Sequence, residues 1–246
     1  MKYGVILCGG YGQRAQHLTV PKPMLTVDGC TVVERLVKQM FEAGLEGVSI
    51  LTNARDISTY TSLFAQRYSH LTIMAEPHYT EQQKYGSYFG FATHLAYLKG
   101  VYSNLESVIA APGDGLYHTN IFPLLLKRTE TAISVIKLPT KMLKNFGLVE
   151  FNPWTKNVLG FQEKPESPKS SYAWSGAISL KGVSLANVPA FIQDKWGYLI
   201  EILLSKGIPI KIIRIKDFEW VDVGYQEPFT QYVNKHNLQL DLKQKA

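Results

Sequence analysis

A three-layer α/β sandwich, with a mainly parallel sheet in its first half and a β-rich second half, is the fold class that the 246-residue sequence predicts. Three observations predict it. Short apolar runs at 3–8, 48–52, 71–75 and 107–111 have strand length and little polar alternation, the mark of strands covered on both faces. Segments with apolar residues at helical spacing separate them. Beyond residue 131 the helices thin out, and strand-like runs follow one another with turn residues between them.

The elements follow in order. Tyr3-Gly4-Val5-Ile6-Leu7 opens a buried strand over 3–8 that empties into Gly9-Gly10-Tyr11-Gly12-Gln13-Arg14. Residues 31–43 read as a helix with Val32, Val33, Leu36, Val37, Met40 and Phe41 as its apolar positions, and Gly44 stops it. A strand at 48–52, a helix at 57–68, a strand at 71–75, a helix at 87–98 and a strand at 107–111 complete a βαβαβαβ alternation. Alternation of this kind gives a Rossmann-like parallel sheet with helices on both sides. The second half reads as a strand at 132–138 and a hairpin of 148–151 with 158–162 around Asn152-Pro153-Trp154. A strand at 173–180, a helix at about 196–205, a strand at 210–215, a segment ending at Trp220 and a helix from 227 to about 235 follow. Residues 241–246 read as a frayed tail. With no linker, low-complexity stretch or internal repeat, the chain reads as one domain over 1–246, its halves dividing near 130/131.

Bulk properties narrow the function classes. Lys and Arg number 26 against 20 Asp and Glu, a net charge of +6. No run of five basic residues is present, so the charge reads as a mildly basic surface or as a positive cleft for a polyanionic small substrate, and nucleic acid is not expected. The two cysteines, Cys8 and Cys30, belong to no CxxC or Cys/His cluster, which argues against zinc. No apolar stretch approaches the ~18 residues of a membrane span, and the run after Met1 is too short for a signal peptide. A cytoplasmic protein with no membrane partner is expected. Its oligomeric state is left open, a homo-oligomer included.

The chemistry-bearing positions lie where strands end. Gly9, Gly10 and Gly12 let backbone N–H groups point at an anion, and Arg14 and Lys22, the latter in Pro21-Lys22-Pro23, add full charges that grip phosphate. Asp114 in Gly113-Asp114-Gly115 follows the fourth strand, as a magnesium ligand or as the aspartate of an Asp-Gly turn. Asp222 in Trp220-Val221-Asp222-Val223-Gly224 is an isolated acid at an apolar strand end, a metal ligand or an exposed edge position. Lys164 in Glu163-Lys164-Pro165 either holds a second phosphate or sits in a surface turn. Gly10-x-Gly12-x-x-Ala15 also fits a dinucleotide fingerprint. An oxidoreductase would need an acid after the second strand, where Leu51-Thr52-Asn53 stands, and no Pro-Lys-Pro in its first helix.

Taken in order, Leu7 to Arg14, Pro21 to Pro23, Gly113-Asp114, Glu163-Lys164-Pro165 and Trp220 to Gly224 resemble the sugar-1-phosphate nucleotidyltransferase family over nearly the whole chain. The stretch Gln162 to Leu180 looks most like the short glucose-1-phosphate thymidylyltransferases. The resemblance implies an enzyme that joins a nucleoside triphosphate to a sugar-1-phosphate, giving an NDP-sugar and pyrophosphate with Mg2+ as cofactor. It implies Arg14 and Lys22 on the triphosphate with Leu7 and the glycine loop around the nucleotide, Asp114 and Asp222 on the metal, and Lys164 on the acceptor's phosphate. Gly147, Glu163 and Trp174 are then expected around the acceptor, and Gln82, Gln83 and Gly86, in the segment that usually reads the base, around the nucleotide. Three departures accompany it. The gap from Arg14 to Pro21 is short. The segment Glu81 to Tyr88 is similar instead to cytidylyltransferases for phosphocholine and related small phospho-alcohols, which makes these the alternative acceptors. Trp174 stands where an asparagine is usual. At this length no fused C-terminal acyltransferase domain is expected.

Overall fold

In the computed structural model, which describes residues 1–10, 20–64, 67–76, 86–190, 192–217 and 219–240, the first half is built by β1 (Lys2–Cys8), β2 (Thr26–Val27), β3 (Cys30–Thr31), α1 (Val32–Glu42), β4 (Gly47–Thr52), α2 (Ile57–Phe64), β5 (Leu71–Ala75), α3 (Ser87–Val101), β6 (Ser107–Pro112), β7 (Gly115–Tyr117) and α4 (Phe122–Lys127). The second half adds β8 (Thr131–Lys137), β9 (Gly147–Phe151), β10 (Val158–Glu163), β11 (Tyr172–Lys181), α5 (Gly182–Ala186), α6 (Tyr198–Ser205), β12 (Ile210–Arg214), β13 (Trp220–Asp222) and α7 (Gln226–Lys235). Nine strands form one sheet in the order β10-β9-β11-β6-β1-β4-β5, with β8 on β11 and β12 on β8. The four strands that the first half gives this sheet, β6-β1-β4-β5, are all parallel. β11 joins antiparallel to β6, β8 and β9 and welds the second half on.

The side chains of β1 show why this segment is central. Ile6 and Cys8 enter one core with Val33, Leu36, Val37 and Met40 of α1. Tyr3, Val5 and Leu7 point the other way, into a core with Tyr88, Phe91, Leu95 and Leu98 of α3. Successive residues of a strand face opposite sides, so a strand that is apolar at every position must be covered twice. α1 starts at Thr31, whose hydroxyl accepts the Glu34 amide at 3.2 Å. The first core continues through Ala132, Ile136, Leu148, Ala173 and Trp220, so both halves share it.

From β1 the chain steps outward to β4 and β5 and then returns to β6 on the other side of β1. That reversal opens a crevice beyond the carboxyl ends of β1 and β6, the place where open α/β sheets take ligands. A third core, of Leu25, Val27, Leu116, Val221, Val223, Phe229 and Tyr232, folds the C-terminal segment back over this crevice. Here the structure corrects the sequence reading. The segment expected to end at Trp220 does not stop there: Trp220 begins β13, which ends at Asp222 and pairs antiparallel with β7, Asp222 opposite Gly115. The helix expected from 196 begins at Tyr198, and α2 ends at Phe64, before residues outside the described set. α4 was not foreseen: its Phe-Pro-Leu-Leu-Leu run is too short for periodicity to show, and Pro123 in its first turn marks its start. No helix among the described residues is long and apolar enough to cross a membrane.

Candidate active site

A cavity of about 490 Å3 fills the crevice. One wall consists of strand ends. Leu7 and Cys8 end β1 and Gly9 and Gly10 follow it; Pro112 ends β6, Asp114 follows and Gly115 opens β7. Lys22 projects from the turn at 22–24, where the Met24 amide donates to Pro21 O at 2.8 Å and the Leu25 amide to Lys22 O at 3.1 Å. Its ammonium lies 3.2 Å from Asp114 Oδ2 and 3.8 Å from Asp222 Oδ1. Two carboxylates 108 residues apart in sequence (222 − 114) thus converge on one cation.

The β7–β13 pair makes that convergence possible, aided by the Val223 amide donating to Asp114 O at 3.0 Å. The Gly224 amide donates to Asp222 Oδ1 at 2.7 Å and sets the carboxylate's orientation. Gly224 leaves room for the lysine: a Cβ there would crowd Lys22 Nζ and lie 2.9 Å from Asp222 Oδ1, so the ammonium would have to move. The glycine of the Trp-x-Asp-x-Gly motif is where the lysine of the Pro-Lys-Pro motif fits.

The opposite wall belongs to the second half. Phe146, Gly147, Glu163, Lys164, Trp174, Ser175, Gly176, Trp196 and Gly197 line it, with Trp220 and Tyr225 at its edge. Lys164 sits just past β10 with φ +48°, and its amide donates to Phe146 O at 3.2 Å. Its ammonium is 3.9 Å from Glu163 Oε1. Trp174 is 6% exposed; it stacks on Trp196 at 5.5 Å between centroids, and its indole N–H donates to Ala177 O at 2.9 Å. Trp174 is therefore part of the wall behind Trp196. Below lies Tyr117, whose hydroxyl donates to Ser175 O at 3.1 Å; burial pushes its phenol up.

Of the residues singled out from the sequence, Leu7, Gly9, Gly10, Lys22, Asp114, Gly147, Glu163, Lys164, Trp174 and Asp222 all line this one cavity. Gly86 stands one residue outside it, before α3 and against the backbone of Asp194, while Ser87 beside it lines the cavity. Gly12, Arg14, Gln82 and Gln83 lie outside the described residues. Sequence reasoning passed over Glu76. It follows β5 on the far side of β1 from β11, is 5% exposed, and packs its carboxyl against Gly9 and Gly90. Among the described residues Oε1 has no hydrogen-bond partner, and burial pushes the acid up to about 7. A carboxylate just after an apolar strand was the available signal. Trp196, in a segment read as the start of a helix, gave no signal of its own.

A sequence model described as "Nucleotidyl transferase" matches residues 3–237. The chain belongs to this family. Among its curated relatives, the nucleotidyl transferase is 25% identical over 247 residues to a glucose-1-phosphate adenylyltransferase of Bacillus mycoides, covering 89% of this chain and 64% of that one. It is 24% identical over 242 residues to the enzyme of the same name from Clostridioides difficile, covering 89% and 62%. The chain thus spans less than two thirds of the length of these relatives. A Bacillus anthracis protein assigned as a glucose-1-phosphate thymidylyltransferase, crystallised with sucrose, superimposes with a TM-score of 0.77 over 96% of this chain and 95% of that one at 16% identity, a likeness of fold.

Proposed function

We propose that this nucleotidyl transferase joins a nucleoside triphosphate to a sugar-1-phosphate, releasing pyrophosphate and an NDP-sugar. The observation that carries the reading is the meeting of Lys22, Asp114 and Asp222 at the strand-end wall, facing Glu163 and Lys164 across one cavity. A phosphate oxygen of the acceptor attacks the α-phosphorus in line; the new P–O bond forms as the bond to the bridging α–β oxygen breaks. The nucleophile is already an anion, so the protein needs no general base, and its task is positioning and charge neutralisation.

The strand-end wall takes the triphosphate. Gly9 and Gly10 offer backbone amides, and Lys22 offers an ammonium to phosphate oxygens. Arg14, four residues past Gly10, is assigned the same task from its place in the motif. The donor set fits magnesium: two part-exposed carboxylates already share one cation, and Mg2+ asks for one or two carboxylates with phosphate oxygens as the rest. Held by Asp114 and Asp222, the ion would supply charge stabilisation for the leaving pyrophosphate. Glu76, on the side of β1 away from the acceptor wall, neighbours the nucleoside. Lys164 meets the acceptor's phosphate, and Glu163 accepts hydrogen bonds from sugar hydroxyls. The reaction is assigned to the cytoplasm, where nucleoside triphosphates are made; the free thiols of Cys8 and Cys30 are consistent with that compartment.

The test is a matrix of pyrophosphate release, each nucleoside triphosphate against a panel of sugar-1-phosphates and phospho-alcohols, with and without chelator. Turnover with a sugar-1-phosphate that chelator abolishes is expected. Turnover with phosphocholine-like acceptors alone would replace the acceptor class, and chelator-resistant turnover would remove the metal.

A further inference from the structure

A second cavity, of about 770 Å3, opens where the β9–β10 turn meets β12 and the start of β11, and it shares no residue with the first. Four cations line it, Arg128, Lys156, Lys169 and Arg214, with one carboxylate, Glu150. Among the described residues none of the four cations has a carboxylate within ion-pair distance. They come from four separate segments, and the backbone around them is pinned. Lys156 is held at φ +61° by its amide donating to Asn152 O and by its carbonyl accepting the Ile212 amide, each at 2.9 Å. The Lys169 amide donates to Gln162 Oε1 at 2.9 Å, and the Arg214 guanidinium lies 5.2 Å from the centre of the Tyr172 ring.

Like charges gathered around one concavity repel unless an anion is shared among them, and the concave wall focuses their field. Phosphate suits such a set, since arginine meets its oxygens as a fork and lysine as a point charge. The single carboxylate, Glu150, leaves the cations in excess and gives the far end of a ligand a hydrogen-bond acceptor. The volume is that of a site for a small metabolite.

We propose that this cavity is a second binding site, for a small phosphorylated metabolite, and that its occupancy is felt at Lys164. The connection is short. One loop joins β10 to β11; Glu163 and Lys164 at its start line the first cavity, and Lys169 near its end lines the second. Gln162, next to Glu163, holds the Lys169 amide with its side chain. An anion that draws Lys169 toward Arg214 therefore pulls on the segment that carries Lys164. The coupling, though not the binding, rests on the acceptor role given to Lys164.

Inorganic phosphate is the probe. Equilibrium dialysis of labelled phosphate against the full chain, in a Lys164→Ala background so that the acceptor wall holds no phosphate and with a non-hydrolysable nucleoside triphosphate analogue saturating the strand-end wall, should show bound phosphate that weakens with ionic strength. The double variant Lys169→Ala/Arg214→Ala changes two exposed side chains and should keep its circular dichroism while losing about tenfold or more in phosphate affinity. In steady-state kinetics phosphate should shift the acceptor's KM in the wild type and not in the variant, leaving the triphosphate's KM alone. Equal phosphate binding by the two proteins, or none by either, overturns the site. Loss of binding with no change in the acceptor's KM overturns the coupling. If neither protein turns over any acceptor, the functional reading fails while dialysis still decides the site. Co-sedimentation with phosphatidylglycerol vesicles that needs the same two residues would assign the phosphate to a membrane headgroup and overturn the metabolite.

Discussion

The two walls of the first cavity are made by different means. The strand-end wall comes from parallel strands that stop, and its chemistry sits in the turns just beyond them: Gly9 and Gly10 after β1, Asp114 after β6. The acceptor wall comes from antiparallel strands that are bent where they pass the cavity. β11 shifts register between Trp174 and Ile178, Gly176 takes φ +89° within it, and Lys164 takes φ +48° at the end of β10. Parallel strands all deliver their ends to one edge, so topology alone gathers the groups. Antiparallel strands run past the cavity in both directions, and a bulge or a left-handed residue must re-aim the chain. The first wall should therefore fail through lost chemistry, and the second through lost geometry.

The sharpest contrast is expected from the carboxylates. Asp222→Asn and Asp114→Asn should each lower the rate of pyrophosphate release by about 10²-fold or more, as removing one preorganised charge-stabilising group does elsewhere. Thermal unfolding should stay near that of the wild type. Unchanged turnover in both variants would break the assignment of chemistry to this wall.

Glu76→Gln tests the strand-end wall through stability. The folded acid titrates at about 7 against an ordinary 4.5. Between those values the unfolded chain has released its proton and the folded chain has not, so stability is full below pH 4.5 and falls as pH rises toward 7. The span amounts to ~3 kcal/mol as an upper figure. Denaturant titrations across pH 4–8 should show this slope in the wild type and its loss in Glu76→Gln, which should be the more stable protein at pH 8. Parallel pH profiles would show that Glu76 has a partner after all.

Lys164→Ala should raise the acceptor's KM about 10- to 100-fold, the worth of a hydrogen bond to a charged group, and leave the triphosphate's KM unmoved. An equal rise in both would place Lys164 on the triphosphate and erase the division between the walls. The smallest effect concerns geometry alone. At Gly176 a Cβ would lie 2.4 Å from Pro112 Cγ, where the bent β11 presses on the end of β6. Gly176→Ala should cost about 1–3 kcal/mol of stability through strain, read as a lower urea midpoint with an unchanged slope. No loss would mean that β11 is not held against β6 at this point.

Much of this was legible in residue order because strand ends, glycine turns and charged motifs are local. β1 reads as doubly covered from Val5, Ile6 and Leu7 alone, and Lys22, Asp114, Lys164 and Asp222 announce themselves by the turn residues around them. Glu76 did not, because nothing in its neighbours says that its carboxyl will be buried without a partner. Trp174, expected around the acceptor, does line the cavity, yet Trp196 stacks on its face, and only tertiary packing could bring the two together. The sequence by itself determined which segments form strands, which turns can hold phosphate and which acids stand at apolar ends. Only the tertiary structure decided that Asp114 and Asp222 would share Lys22, and that four cations with no carboxylate at ion-pair distance among the described residues would surround a second cavity. Local sequence sets backbone conformation over a few residues, whereas these meetings depend on β13 pairing with β7 and on β12 docking beside the β9–β10 turn, contacts between segments some 55 to 105 residues apart in the chain.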